Sequence, residues 1–512
     1  MDTAAIIDQL RRMVPAARGM TADSRRLAPG DVFLAYPGDV HDGRGHIAAA
    51  IRAGAAAVLW EPAGHVWKDG DVAHLAVAGL KTQAAALAAA WYGDPSKNLW
   101  MTGITGTNGK TSVSHWLAAA WTLLGRKTAA IGTIGNGFPG ELDTMPSRTL
   151  AHAASRGGVM PGLGLPGAGH APSHTTPDAV SLQGLLATYR DAGAAGVAME
   201  VSSHGLHQGR VAGVAFDVAV LTNLSRDHLD YHGDMASYAA AKSRLFTWPG
   251  LQWAVLNADD ELGAALAGQL RGGATRVLSY GLHGGDLCAQ RVRADRDGLL
   301  MEIVSPWGMG ELKSSLLGEF NAYNLLAALG ALLAGGVDLA AALAVLGKVE
   351  SVPGRMQRVE GEAGDPTVIV DFAHTPDALD KVLSTLKPLT RGKLICVFGC
   401  GGGRDTAKRP LMGAVVAARA DQAVVTSDNP RHEDPAHIIA DILAGMPPGQ
   451  NAIVDRRRAI HDAIRAAAPE DIVVLAGKGH EAYQESNGVR TPFSDCEEAR
   501  KALSERNHRA AT

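Results

Sequence analysis

The sequence is short of cysteine, of unbalanced charge and of long apolar runs, and each shortage closes off a class of protein. Four cysteines in 512 residues (Cys288, Cys396, Cys400, Cys496) are too few and too scattered for a disulfide framework or a zinc cluster. A net charge of −4 carries no nucleic-acid footprint. The most apolar segment, LLAALGALLAGG at 325–336, is shorter than the roughly 20 residues that span a bilayer. The opening MDTAAIIDQLRRM lacks the basic start and long apolar stretch of a secretory signal. The expectation is a cytoplasmic, reduced protein with no membrane span and no nucleic-acid partner. Hydrophobic residues at 46% and charged residues at 20% describe a globular chain, and at roughly 150 residues per domain it should form about three domains. Only 5% aromatics against 61 glycines fits α/β folds with many tight strand-to-helix turns.

Three blocks separate by pattern. Residues 1–98 hold a strand (VFLAY, 32–36), a helix-like run (IAAAIRAG, 47–54) and a second strand (AAAVLW, 55–60), and GDPSKN at 93–98 reads as a linker. Residues 99–350 open with the strand LWMTGIT, continue through VAMEV (197–201) and FDVAVLTNL (216–224), and carry a long helix after Asn321. Residues 351–512 begin where SVPGRMQ breaks the helical pattern. There VIVDF, LICVF, QAVVT and IVVLA alternate with Ala-rich helical stretches, which predicts parallel sheets with crossover helices. Residues 139–173, rich in Gly, Pro, Ala and Ser without a sustained period, predict a long connecting loop to which no chemistry is assigned.

The sharpest local signal is TGITGTNGKTS at 102–112. A strand runs into a glycine-rich turn, and Lys110 and Thr111 open a helix with Val113, Trp116, Leu117, Ala120, Trp121 and Leu124 on one face, ending at Gly125. Gly106 and Gly109 let backbone amides approach phosphate oxygens, the helix N-terminus adds a positive dipole end, Lys110 a charge and Thr111 a hydroxyl for Mg²⁺. The generic pattern G-x-x-x-x-G-K-[ST] wants glycine at 104, where Ile104 stands, so this is a variant of that loop. Alone it does not separate kinases, motors, switches and ligases.

Polar residues gather where strands end, which is where open α/β sheets bind ligands. Glu200 tips one strand, and Ser225, Arg226, Asp227 and His228 follow its neighbour; a carboxylate and an imidazole near Thr111 suit divalent cations beside a triphosphate. In the third block the strands finish in Asp371 and His374, in Arg404 and Asp405, in Asp428, Asn429 and Arg431, and in Lys478, His480 and Glu481. Such a set suggests a second ligand surface, where arginines could grip carboxylates bidentately. Read from the residues alone, Lys242 is an ordinary exposed helix lysine.

With DSRRLAPGDVFLAYPG, TGTNGKT, HTTPD (174–178), EVSSHGLHQGR (200–210), TNLSRDHLDYHG (222–233), AAAKSRLF, GEFNAYN (318–324), DFAHTPDAL, GCGGGRDTAKRP, SDNPRHE and AGKGHE in order, the chain resembles the Mur ligase family over nearly all its length. TGTNGKT marks the superfamily alone, whereas EVSSHGL together with SDNPR is highly specific. The resemblance implies a three-domain α/β architecture: a UDP-sugar-binding domain (1–98), a central P-loop ATPase domain with a mostly parallel sheet (99–350) and a Rossmann-like, amino-acid-binding C-terminal domain (351–512). It is strongest to members that join meso-2,6-diaminopimelate to UDP-MurNAc-L-Ala-D-Glu at the expense of ATP in peptidoglycan precursor synthesis, and it implies a monomer.

Residue by residue, the resemblance assigns Asp23, Ser24, Asp39, Val40 and His41 to the uridine diphosphate end, and His174, Thr175, Thr176, Ser202, Gln208 and Arg210 to the muramoyl-peptide portion. Related enzymes often carry Asn where His174 stands. Gly106, Thr107, Asn108, Gly109, Lys110, Thr111 and Ser112 would cradle ATP phosphates, Asn321 and Asn324 would lie near the adenine, and Arg355, Asp371 and His374 would approach ATP from the third domain. Lys110, Glu200, His228 and Lys242 form the implied catalytic set. Thr111, Glu200 and His228 match Mg²⁺ ligands, two ions being implied, with Lys242 as a CO₂-derived carbamate serving the second. Arg404, Asp428, Asn429, Pro430, Arg431, Gly477 and Glu481 match the diaminopimelate pocket, with Arg431 reading the distal carboxylate that lysine lacks. Three rivals stay open: a lysine-adding Mur ligase, a folylpolyglutamate synthase-like ligase, and a non-enzymatic P-loop switch.

Overall fold

The computed structural model describes residues 2–38, 41–139, 175–403 and 405–510. The long loop foreseen at 139–173 lies outside them from residue 140 onward, as do Asp39, Val40, His174 and Arg404. By packing the chain divides into two units. The first comprises Met1–Arg291, Glu302–Leu312 and Tyr323–Val349; the second comprises Val292–Met301, Lys313–Ala322 and Glu350–Thr512. Among the described residues no helix is long and apolar enough to cross a membrane.

The first unit begins with a four-stranded parallel sheet, β1 (Met20–Thr21), β2 (Val32–Ala35), β3 (Ala57–Trp60) and β4 (Ala73–Ala76), ordered as in the chain. Alternation along β2 sends Val32 and Leu34 into one apolar cluster with Leu80 and Leu87, and Phe33 and Ala35 into another with Val58 and Trp60. Both faces are therefore covered, as parallel sheets require.

A larger, ten-stranded sheet follows, built from β5 (Trp100–Thr105), β6 (Thr128–Gly132), β7 (Gly135–Gly137), β8 (Gly196–Glu200), β9 (Val218–Leu221), β10 (Trp253–Asn257), β11 (Arg276–Gly281), β12 (Leu287–Asp295), β13 (Gly298–Ser305) and β14 (Gly308–Ser314). Its order is β14-β13-β12-β11-β10-β9-β5-β8-β6-β7, parallel from β12 through to β6 and antiparallel at the β6–β7 hairpin. The strand that feeds the glycine-rich loop, β5, thus lies between the two strands whose tips carry Glu200 and the 222–228 segment. GDPSKN is not a free linker. Pro95–Asn98 forms a 3-10 turn with Pro95 and Ser96 buried, and the Ser96 hydroxyl accepts a hydrogen bond from Ala215 N at 3.0 Å. The turn is fastened to the large sheet's surroundings because that amide needs a partner. The long helix foreseen after Asn321 starts two residues earlier and runs Glu319–Ala334.

The second unit holds a six-stranded sheet of β15 (Gln357–Val359), β16 (Thr367–Asp371), β17 (Leu394–Phe398), β18 (Gln422–Thr426), β19 (Asn451–Ile453) and β20 (Ile472–Ala476). Its order is β15-β16-β20-β17-β18-β19, with only β15 antiparallel. The four strand-like runs of the third block are its four central strands. Ile369, Cys396, Phe398 and Val425 pack on one face and Val368, Val370, Ile395 and Val397 on the other. A separate hairpin, β21 (Tyr483–Ser486) and β22 (Val489–Pro492), turns through Asn487 and Gly488, both left-handed (φ +50° and +76°). All four cysteines are free thiols.

Candidate active site

The loop after β5 is shaped by two glycines. Gly106 and Gly109 have φ of +146° and +85°, and a Cβ on them would sit 1.9 Å from Thr222 Oγ1 and 2.2 Å from Asn324 Oδ1. No other residue fits at either position. Neighbouring strand ends hold the loop open: Thr107 N donates to Asn223 O (2.8 Å), Asn108 N to Asn223 Oδ1 (3.0 Å), and Thr222 Oγ1 to Asn108 O (2.6 Å). Lys110 Nζ curls onto the carbonyls of Gly106 (2.9 Å) and Thr107 (2.8 Å). Thr111 and Ser112 are buried in the first turn of the helix Lys110–Leu123, whose amides face the loop. The hydroxyls of Thr105 and Ser225 are buried beside the loop without hydrogen-bond partners among the described residues. A cradle closed to any Cβ, a helix N-terminus, an ammonium and orphaned hydroxyls suit a polyphosphate.

Lys242 corrects the expectation of an exposed helix lysine. It lies on the helix Met235–Ser243, is 1% exposed, and its Nζ donates to Gly106 O at 2.7 Å over the ring of Tyr238. Two lysines therefore converge on one carbonyl. Burial, and then the positive charge of Lys110, push the Lys242 ammonium well below its ordinary pKa, towards the neutral amine. Burial likewise pushes the Tyr238 phenol up to about 12, so its hydroxyl stays protonated beside Thr107 Oγ1 at 3.2 Å.

Glu200, at the tip of β8 and 1% exposed, receives Thr133 N on Oε1 (2.7 Å) and Thr133 Oγ1 on Oε2 (3.1 Å). Gly132 makes room, since a Cβ there would be 2.1 Å from Oε1. His228 is half-exposed in a left-handed conformation (φ +53°), with Nε2 3.4 Å from Asp227 and its ring 4.9 Å from that of His204. Among the described residues no group of three or more His, Cys, Asp and Glu is arranged to hold a metal by itself. A phosphate-bound Mg²⁺ asks less of the protein, one or two oxygens in addition to water and phosphate, and Thr111 and Glu200 supply that chemistry.

The described residues assigned to the muramoyl peptide, Thr175, Thr176, Ser202, Gln208 and Arg210, form one network. Thr176 Oγ1, fully buried, lies 3.0 Å from Glu200 O and 3.1 Å from Ser202 Oγ, and accepts Ser202 N. Thr175 Oγ1 lies 3.2 Å from Thr133 Oγ1. Arg210 donates to Thr176 O (3.0 Å) and Gln208 Oε1 (2.8 Å), and Gln208 donates to Tyr231 OH (3.1 Å). In the small sheet's loops, Asp23 is clasped by Arg25 at 2.8 Å, whose hydrogen bond holds its carboxyl below the usual range; Ser24 is half-buried and His41 exposed. Asn324 presses on Gly109, while Asn321 is buried and donates to Leu317 O at 2.8 Å.

In the second unit, Asp371 is buried at the end of β16, where burial raises its pKa against the pull of Arg355; it accepts Met356 N (2.7 Å) and Ala373 N (2.8 Å). Arg355 stacks on Phe372 at 4.9 Å, and the His374 ring lies 4.6 Å from the same phenyl. The D-N-P-R segment lies at the end of β18. Asn429 Nδ2 donates to Glu481 Oε2 (2.7 Å), and Lys478 Nζ, fully buried, donates to Glu481 Oε2 (2.9 Å) and Asn429 Oδ1 (3.0 Å). Gly477 (φ +114°) lets Asp428 approach, since a Cβ there would be 2.6 Å from Asp428 Oδ2. Arg431 is itself left-handed (φ +54°); its amide donates to Glu485 O at 3.0 Å and its guanidinium to Gly402 O.

Several contributors were missed from sequence. They are Thr133, Asn223 and Tyr238, together with Gln484, which donates to Asp428 O at 2.8 Å, and Glu485, whose amide donates to Asn429 Oδ1 at 2.9 Å. The dipeptide Asn487-Gly488 between two short extended runs was the hairpin signal that could have found the last two.

A glycine loop at the end of a central parallel strand, cradling lysines and flanked by a buried glutamate, defines an α/β nucleotide-dependent enzyme. Three family models match the chain: the "Mur ligase family, catalytic domain" at residues 17–90, the "Mur ligase middle domain" at 104–332, and the "Mur ligase, glutamate ligase domain" at 354–479. Curated UDP-N-acetylmuramoyl-L-alanyl-D-glutamate–2,6-diaminopimelate ligases of Chromobacterium violaceum and Pseudomonas aeruginosa are each 49% identical to it. The first alignment covers 98% of this chain and 96% of that protein, the second 95% of both. A solved structure of a ligase of the same description is 37% identical, covers 96% of both chains and superposes with a TM-score of 0.65. The chain belongs to the Mur ligase family and is a ligase.

Proposed function

We propose that this ligase joins meso-2,6-diaminopimelate to the D-Glu γ-carboxylate of UDP-MurNAc-L-Ala-D-Glu, driven by ATP, as a cytoplasmic monomer making peptidoglycan precursor. The three blocks, 1–98, 99–350 and 351–512, take the sugar nucleotide, ATP and the amino acid respectively. The carboxylate oxygen attacks the γ-phosphorus and ADP leaves, giving an acyl phosphate. The free amine then attacks the acyl carbon, loses a proton, and inorganic phosphate departs as the amide forms. Gly106–Ser112 bind and orient the triphosphate, and Lys110 meets the charge that builds on it. Thr111, Glu200, His228 and a Lys242 carbamate would hold Mg²⁺, two ions in the full form of this reading, which would supply positive charge between the two anions. Lys242 suits carbamate formation as a buried amine pushed towards its neutral form, and that form attacks CO₂.

Asp23, Ser24, Asp39, Val40 and His41 take the uridine diphosphate; His174, Thr175, Thr176, Ser202, Gln208 and Arg210 take the muramoyl peptide. Asn321, Asn324, Arg355, Asp371 and His374 complete the ATP site. Arg404, Asp428, Asn429, Pro430, Arg431, Gly477 and Glu481 receive diaminopimelate, with Glu481 facing an ammonium and Arg431 the distal carboxylate.

The observation that carries this reading is the juxtaposition of Arg431, Asp428, Asn429 and Glu481 at adjoining loops of a chain 49% identical to diaminopimelate ligases. The test is to incubate the protein with ATP, Mg²⁺, UDP-MurNAc-L-Ala-D-Glu and meso-diaminopimelate. One tripeptide product per ADP supports it; ADP formation without amide supports a nucleotide switch instead.

A further inference from the structure

Beneath the pocket lies a charged pair that touches no solvent. Arg456 opens the helix Arg456–Ala466, Asp495 opens the helix Asp495–Ala510, and both side chains are 0% exposed. Arg456 Nε and Nη2 grip the two oxygens of Asp495 at 2.7 and 2.6 Å. Its remaining reach goes to two backbone carbonyls, Nη1 to Ser427 O at 3.3 Å and Nη2 to Ala476 O at 3.0 Å. Those carbonyls immediately precede Asp428 and Gly477, the first residues of the two pocket loops. Strands β18 and β20 are not neighbours, since β17 lies between them. Each is paired to β17, but those ladders end at Val425 and Leu475, before Ser427 and Ala476, so the guanidinium spans the two loop starts just beyond them.

A buried ion pair is weak as a source of stability, because desolvation offsets most of the attraction and an apolar pair of similar volume does as well. A rigid planar fork holding two loop ends at a set distance is something an apolar pair cannot supply. We infer that Arg456, held by Asp495, is a positioning residue for amino-acid selection: it fixes the separation of the D-N-P-R and G-K-G-H-E loops without touching substrate. This rests on the diaminopimelate reading above. Lys478, from the second loop, works towards the same end by joining Asn429 of the first loop to Glu481.

The test uses the full chain with Arg456→Lys, which keeps the charge but cannot reach Asp495 and both carbonyls together, and Asp495→Glu, which keeps the pair but displaces the fork. Kinetic constants for all three substrates are measured with thermal melts. For both variants the KM for diaminopimelate should rise about tenfold and the preference over lysine should fall by a similar factor, with KM for ATP and for the UDP-dipeptide within about twofold of wild type. Equal changes in all three KM values, unchanged kinetics with a lowered melting temperature, or failure of both variants to fold would each reduce the pair to a structural tie and overturn the inference. Should the wild type itself join no diaminopimelate, the fault lies in the parent reading.

Discussion

The loop proposed for phosphate and the pocket proposed for the amino acid both sit at the carboxyl ends of parallel strands, yet they are made in opposite ways. The loop is contiguous, residues 106–112, and works with backbone: two glycines that admit no Cβ, and carbonyls onto which Lys110 and Lys242 converge. The pocket is dispersed. It draws on residues near 402, 428–431, 477–485 and, from below, 456 and 495, and works through side chains that brace one another. Phosphate is the same in every nucleotide, so a fixed backbone cradle serves it; choosing among amino acids needs charges placed singly, and those can come from anywhere along the chain.

The comparison breaks most readily at Lys110. Lys110→Ala should lower ATP-dependent phosphate release by about 10³-fold, the scale of losing a cation aimed at developing charge, with an unchanged circular dichroism spectrum. Near-normal turnover would put the phosphate site elsewhere. At the pocket, Arg431→Ala should cut the preference for diaminopimelate over lysine by about 10²-fold and leave the KM for ATP unchanged, measured with both amino acids at saturating nucleotide. If the KM for ATP moved equally, the two sites would not be separate devices.

A smaller effect probes the buried glutamate beside the loop. Thr133→Val removes the hydroxyl that donates to Glu200 Oε2 and should cost about 1–3 kcal/mol in urea unfolding. The smallest is a pH effect in the second unit. Lys387, by its hydrogen bond, and then Leu394 N hold the Asp421 carboxyl below its ordinary 3.8. Its stabilising share is full above pH 3.8 and fades as pH falls through the lower folded value. Asp421→Asn should therefore flatten the acid limb of the stability profile below that pH, modestly, because the pair is partly solvated.

The same contrast explains what could be read in advance. The loop, its helix and the four central strands of the second unit were legible because each is encoded locally, by glycine spacing or by unbroken apolar runs such as LICVF. Lys242 was not: its burial comes from the helix packing back over the loop, which no local pattern around Ala239–Ser243 reveals. GDPSKN has linker composition but is fastened by one serine to Ala215, far along the chain. Arg456 and Asp495 begin ordinary-looking helices, and their meeting depends on how two helices cover one face of a sheet. The hairpin, by contrast, is encoded locally, by Asn487-Gly488 between two short extended runs.

The most direct measurement is a competition: one reaction with ATP, the UDP-dipeptide, and equal concentrations of meso-diaminopimelate and lysine, with products separated by mass. The diaminopimelate adduct should form almost alone, and Arg431→Ala should let the lysine adduct appear. Equal amounts of both adducts from the wild type would contradict the claim that a guanidinium at this pocket chooses the incoming amine.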